Sequence, residues 1–139
     1  MKTVADLLKS RKQELFTVKS SQTVYDALVL LAEKNVGALL VVEEKQLVGI
    51  ISERDYARKV ILKGASSLET PVKKIMSERT ITVSPAHSLN DCLEIMSDKH
   101  IRHLPVQDGD ELVGVLSIGD LVKVALDEKD RLIQELSPT

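Results

Sequence analysis

Tryptophan is missing from this 139-residue chain, and its aromatic residues are two tyrosines and one phenylalanine. Stacking platforms for single-stranded nucleic acid are therefore scarce. Cysteine occurs once, at Cys92, so no internal disulfide can form and a reducing compartment fits. Neither charge sign dominates: 19 Lys and Arg stand against 21 Asp and Glu, for a net charge of −2. That balance disfavours non-specific nucleic-acid binding, which depends on clustered cations releasing counterions. No apolar run reaches the roughly 18–20 residues of a transmembrane helix, so no membrane partner is expected. The segment Met1–Asp6 lacks the apolar core of a secretory leader, and the expected location is the cytoplasm. No Ser-His-Asp set, P-loop or metal-ligand spacing is present either, so neither catalysis nor a metal is expected.

What the chain has is a repeat. Thr17-Val18 returns as Thr82-Val83, Asp26 as Asp91, Leu47-Val48-Gly49 as Leu112-Val113-Gly114, and Ser52 and Asp55 as Ser117 and Asp120. Each pair is 65 residues apart, and 12 of 40 positions agree without a gap between 17–56 and 82–121. A fixed period over most of a short chain means one supersecondary unit built twice. Each copy alone is small for a hydrophobic core, so the copies are expected to share one. The division is 1–70 for the N-terminal segment, first copy and linker, and 71–139 for the second copy and C-terminal helix.

Thr3 reads as the cap of a short helix to Leu8, and Leu15–Val18 as a short strand. Thr23 caps a helix with Val24, Ala27, Leu28, Leu31 and Ala32 on one face. Ser88 caps its counterpart, with Leu89, Cys92, Leu93 and Met96. Ala38–Val42 is continuously apolar, as in a strand covered on both faces. Short polar turns then join it to Leu47–Ile51, and Leu104–Val106 to Leu112–Leu116, as antiparallel hairpins. Helices follow from Glu53 to Leu62 and from Ile118 to Leu126, with Leu126, Leu132, Ile133 and Leu136 as an apolar edge that extends the last one. Gly64 suits a helix stop, and Pro71 the first turn of a short helix to Met76. The unit is strand, helix, strand, strand, helix.

Gly49-x-x-Ser52-x-x-Asp55 and Gly114-x-x-Ser117-x-x-Asp120 sit where a strand hands over to a helix. Two readings stay open. Ser-x-x-Asp matches a capping box, in which the side chains satisfy the helix's orphan amides. The same geometry suits a nucleotide: a helix N-terminus and hydroxyl for phosphate, and a carboxylate for ribose hydroxyls. The copies differ at His100-Ile101-Arg102-His103-Leu104-Pro105-Val106. Arg102 and His103 stand where the first copy has Gly37 and Ala38. They read either as an exposed strand start or as a phosphate clamp. Cys92 falls on an apolar face and reads as core. Arg54, Arg58, Lys59 and Lys63 read as a solvated face, or as reach toward extra phosphates.

Together these features resemble the tandem CBS domain, the regulatory module named after cystathionine β-synthase. The doubled motif, Ile101–Val106 and Ser117–Val122 carry the likeness across residues 10–127, and Ile51–Val60 resembles stand-alone bacterial and organellar members. The resemblance implies an α/β (α+β) fold of two β-α-β-β-α repeats packed about a pseudo-twofold axis. It implies that Asp55 and Asp120 hold ribose, with Ser52 and Ser117 near ribose and phosphate. Adenine would lie against Thr80 and Ile81 for the Asp55 cleft, and against Leu15 and Phe16 for the Asp120 cleft. Arg102 and His103 match phosphate-contacting positions, and Pro105 lies in the same segment. Unequal clefts follow from Gly37 and Ala38. The implied ligand is AMP, ADP, ATP or NAD, the implied assembly a homodimer, and the implied role a sensor that signals to a regulated protein. The rival is a dimerisation or interaction module whose clefts are vestigial.

Overall fold

The computed structural model describes residues 3–10, 15–78 and 80–136. It forms two compact units, Glu14–Ile81 and Met1–Gln13 together with Thr82–Thr139. These units are a different partition from the sequence division at 70/71: the first helix belongs with the second copy, and the 72–74 segment with the first.

In the Glu14–Ile81 unit, β1 (Thr17–Val18) lies parallel to β2 (Ala38–Glu43), which pairs antiparallel with β3 (Gln46–Ser52). The order is β1-β2-β3. Strand β1 is shorter than the apolar run Leu15–Val18, because Leu15 and Phe16 precede the two residues that register with Leu40 and Val41. Helix α2 (Val24–Lys34) starts at Thr23, whose hydroxyl accepts from Asp26 N–H while Asp26 accepts from Thr23 N–H. It ends at Asn35, left-handed at φ 53°. The apolar face of α2 (Val24, Ala27, Leu31) meets Val18, Leu39, Val41, Ile51, Val60, Val72 and Ile75 in one core. The first four residues of β2 are buried, as expected of a strand covered on both faces.

The β2–β3 turn is Glu44-Lys45, with φ of 48° and 68°. A type I′ turn needs both central residues left-handed, normally at a cost for any residue that carries a Cβ. After β3, helix α3 (Glu53–Tyr56) passes into a π-helical turn, Ala57–Ile61. The regular helix expected to Leu62 is thus interrupted. Leu62 N–H donates to the Ala57 carbonyl and Ala65 N–H to the Val60 carbonyl, each five residues back. Gly64 then turns the chain at φ 68°, and a 3-10 turn, Val72–Lys74, follows Pro71.

The second unit begins with α1 (Val4–Lys9), capped by Thr3. Its first amides are held by the loop before α4 (Leu89–Lys99): Val4 N–H donates to the His87 carbonyl and Ala5 N–H to the Pro85 carbonyl, both at 2.9 Å. That loop is braced by His87 Nδ1, which accepts from Ser84 N–H at 2.9 Å. Helix α4 buries Leu89, Cys92 and Met96 and ends at His100, left-handed at φ 55°. Strands β4 (His103–Asp108) and β5 (Glu111–Ser117) form a hairpin. Its turn uses Gly109 at φ 63°, a conformation glycine reaches without strain. Both hairpins carry an irregularity at matching places, Val41/Val42 and Val106/Gln107. Helix α5 runs from Ile118 to Leu136, and Val122, Leu126, Leu132, Ile133 and Leu136 stay exposed along it.

Candidate functional site

Each doubled motif places its serine as the last residue of a strand and its aspartate in the first turn of the next helix. In the first copy Ser52 Oγ accepts from Asp55 N–H at 3.2 Å. Asp55 Oδ2 accepts from Ser52 N–H at 2.9 Å and from the Ser52 hydroxyl at 3.0 Å. In the second copy Ser117 Oγ accepts from Asp120 N–H at 3.1 Å, and Asp120 Oδ2 accepts from Ser117 N–H at 2.9 Å. Both are reciprocal capping boxes, which fix the carboxylate's rotamer and hold an anion at the positive end of a helix. Capping and ligand binding are therefore compatible: the box spends chiefly one carboxylate oxygen.

The partner strand decides what stands beside each box. His103 is directly opposite Ser117 in the β4–β5 ladder, and Ile118 N–H donates to the Arg102 carbonyl at 2.9 Å. Arg102, His103, Ser117 and Asp120 are thereby assembled at one end of one hairpin, with Arg102 exposed and the other three half-buried. The first copy repeats the backbone with different side chains. Ala38 is opposite Ser52, and Glu53 N–H donates to the Gly37 carbonyl at 3.1 Å. So Gly37 and Ala38 leave the first box without the cation and imidazole of the second.

The other sequence candidates fall as follows. Pro105 is buried inside β4, and its carbonyl accepts from Val83 N–H at 3.0 Å. This gives it a part in the fold. Thr80 and Ile81 are half-buried, outside any regular strand, in the same unit as Asp55. Leu15 is exposed. Phe16 packs against the core of the Glu14–Ile81 unit, and the Lys34 ammonium lies 5.2 Å from its ring centre. Cys92 is buried, and desolvation pushes its thiol upward, with Asp91 adding to the effect. It is therefore a poor nucleophile near neutral pH.

Sequence reasoning left Lys59 either on a solvated face or reaching toward extra phosphates. In the structure its Nζ is 3.3 Å from Asp55 Oδ1 and donates to the Ile75 carbonyl at 2.9 Å. The signal that could have found it is the i,i+4 spacing of Asp55 and Lys59, which brings side chains together on a helix.

No group of His, Cys, Asp and Glu among the described residues could hold a metal ion. No helix among them is long and apolar enough to cross a membrane.

The sequence profile of the CBS domain matches residues 4–62 and again 72–127. The chain belongs to the CBS-domain family. A CBS domain-containing protein of Arabidopsis thaliana mitochondria, CBSX3, is 39% identical over 97% of this chain and 70% of its own length. A protein with CBS domains from Burkholderia ambifaria shares the fold at a TM-score of 0.87, with 46% identity over 90% of this chain and 94% of its own. Two further CBS structures carry ligands. The Pyrobaculum aerophilum protein PAE2072, complexed with AMP, has 29% identity and a TM-score of 0.75, covering 85% of this chain and 88% of its own. The CBS pair of protein MJ0100, complexed with 5′-methylthioadenosine and S-adenosyl-L-methionine, has 25% identity and a TM-score of 0.80, covering 91% and 97%. This chain is thus a CBS pair whose two motifs are alike in backbone and unlike in charge.

Proposed function

We propose that this CBS pair is a non-catalytic sensor that binds an adenosine nucleotide (AMP, ADP, ATP or NAD) and passes its occupancy to a partner protein. The observation that carries this reading is His103 opposite Ser117 in the ladder, with the Arg102 carbonyl bonded to Ile118 N–H, at the strand end that carries the Ser117–Asp120 box. A carboxylate held in one rotamer can accept from a ribose diol. The guanidinium fork and imidazole beside it suit a phosphate, as does the helix N-terminus. The AMP complex of a protein 29% identical to this one supports an adenosine ligand, and the complex of MJ0100 shows adenosine-containing ligands on the same fold. The first-copy site would use Asp55 and Ser52, with Thr80 and Ile81 following in the same unit.

Occupancy becomes a signal only if the ligand favours one conformation over another. A ligand at a hundredfold over its dissociation constant stabilises the binding-competent fold by about 2.7 kcal/mol. The regulated protein would read that shift. The apolar edge of α5 supports a homodimer as the working assembly, and a cytoplasmic setting fits the single, buried cysteine.

The test is calorimetric titration of AMP, then ATP and NAD, into chain freed of nucleotide by unfolding and refolding. Micromolar binding, near −8 kcal/mol, is expected for at least one of the three. No heat from any of them, on folded protein, would end the sensor reading. A dimerisation or interaction module would then take its place. One observation favours that rival: both capping boxes are complete without a ligand.

A further inference from the structure

Lys59 touches the one carboxylate oxygen of Asp55 that the capping box does not use. Oδ2 is engaged by Ser52 N–H and the Ser52 hydroxyl. Oδ1, the oxygen a ribose diol would meet, already carries the Lys59 ammonium at 3.3 Å. The ammonium is also anchored, through its bond to the Ile75 carbonyl at 2.9 Å. Asp55 is 17% exposed and Lys59 43%, so the pair is within reach of a ligand. Lys59 lies in the π-helical turn Ala57–Ile61, whose Val60 is buried in the core. Single π turns of this kind often mark functional sites. In the second copy the position 65 residues on is Val124, inside the uninterrupted helix α5.

We propose that Lys59 sets the ligand preference of the first-copy site, favouring ribosides that carry a phosphate over bare nucleosides. The inference rests on the reading of Asp55 as a ribose-binding carboxylate. A diol that donates to Oδ1 must share it with the ammonium or displace it. An ammonium has three N–H groups and no acceptor, so a displaced Lys59 needs a new anion. A nucleoside brings none and leaves the cation with the Ile75 carbonyl and water. A nucleotide brings a phosphate one sugar ring away from the diol, and a charge-assisted bond to it replaces the one lost. In this copy Gly37 and Ala38 stand where the second copy has Arg102 and His103, so Lys59 is the cation placed at the motif carboxylate.

The experiment uses the full chain carrying Asp120→Ala, which leaves the first-copy motif intact. AMP and adenosine are titrated calorimetrically into four versions: Lys59, Lys59→Met, Lys59→Gln and Lys59→Arg. Glutamine keeps a donor for the Ile75 carbonyl without the charge, and arginine keeps the charge. The preference for AMP over adenosine is expected to fall about three- to fivefold in the Met and Gln versions, the weight of a partly exposed ion pair. It is expected to persist in the Arg version and to weaken with added salt in the Lys59 chain. Melting curves show which versions are folded; if Met fails to fold, Gln decides. An unchanged AMP-to-adenosine ratio in a folded Met or Gln version overturns the inference. So does a folded Asp120→Ala chain that binds neither compound while the parent chain binds AMP, and in both cases the sensor reading stands. A parent chain that binds no nucleotide defeats the reading and the inference together.

Discussion

His103 faces Ser117 directly across the β4–β5 ladder, and three residues after Ser117 comes the carboxylate of Asp120. In a strand-to-helix corner this tight, an imidazole, a hydroxyl and a carboxylate share one small surface. Asp120→Ala should weaken AMP binding about 10- to 150-fold, the worth of hydrogen bonds to a charged acceptor. Arg102→Ala should weaken AMP more than adenosine. Calorimetry on both variants checks this, and an Asp120→Ala chain with wild-type affinity at every site would remove Asp120 from the site.

Removing the hydroxyl at Ser52 tests the capping role by itself. Ser52→Ala leaves Asp55 N–H without its acceptor and should lower stability by about 0.5–2 kcal/mol. Urea unfolding without nucleotide measures it. The interaction-module reading predicts this loss and no change in response to AMP; the sensor reading predicts both a loss and a weaker response.

Gly49 has no room for a side chain. A Cβ there would stand 2.7 Å from Met76 Sδ and 2.9 Å from the Ser77 carbonyl oxygen. The sulfur can swing away, but the carbonyl cannot, because it accepts from Ile50 N–H while Ser77 N–H donates back to the Ile50 carbonyl. Gly49→Ala should cost about 1–3 kcal/mol, and Gly49→Ala combined with Met76→Ala should not restore stability. A thermal melt of the single variant matching the parent would contradict this account.

Glu43 gives a pH signature. Its Oε1 accepts from the Ser20 hydroxyl at 2.7 Å and from Ser20 N–H at 2.8 Å. These bonds hold its carboxyl below the ordinary carboxylate range. Because the folded-state value is depressed, the contribution is present above the unfolded-state value and is lost as pH falls through the folded one. Glu43→Gln should therefore lower stability most at neutral pH, flatten the acid side of the stability curve, and bring the two proteins together as pH falls. Denaturant midpoints measured from pH 7 down to pH 3 decide it; parallel curves for the two proteins would exclude the effect.

The features legible in the sequence are those whose causes lie within a few residues. Thr3, Thr23, Ser52, Ser88 and Ser117 all cap helices where expected, since a cap needs only its own hydroxyl and an amide three residues on. The buried faces of α2 and α4 follow from spacing alone. The π turn at Ala57–Ile61 was hidden because its partners, the Ile75 carbonyl and the core around Val60, come from beyond the helix. The Glu44-Lys45 turn lacks glycine, so its left-handed pair of residues had no local signature. The neighbourhood of Arg102 and Asp120 needed the β4–β5 register, which a string of residues states only through the turn that sets it.

The placement of α1 has a consequence for how the chain comes together. Glu14–Ile81 is one continuous stretch, and every hydrogen bond from Gln22 to Val72 or from Ile50 to Ser77 closes within it. None of those bonds waits for a residue after Ile81. In the other unit Val4 and Ala5 wait for His87 and Pro85, about 80 residues later in synthesis. The entropy of closing so long a loop grows only slowly with its length, but the time until closure is fixed by translation, at roughly 5–20 residues per second. Val4 and Leu7, fully or nearly buried in the finished protein, therefore spend several seconds without their neighbours. The beginning of the chain is among the last parts to find its place, and the two copies, alike in sequence, are born with different histories.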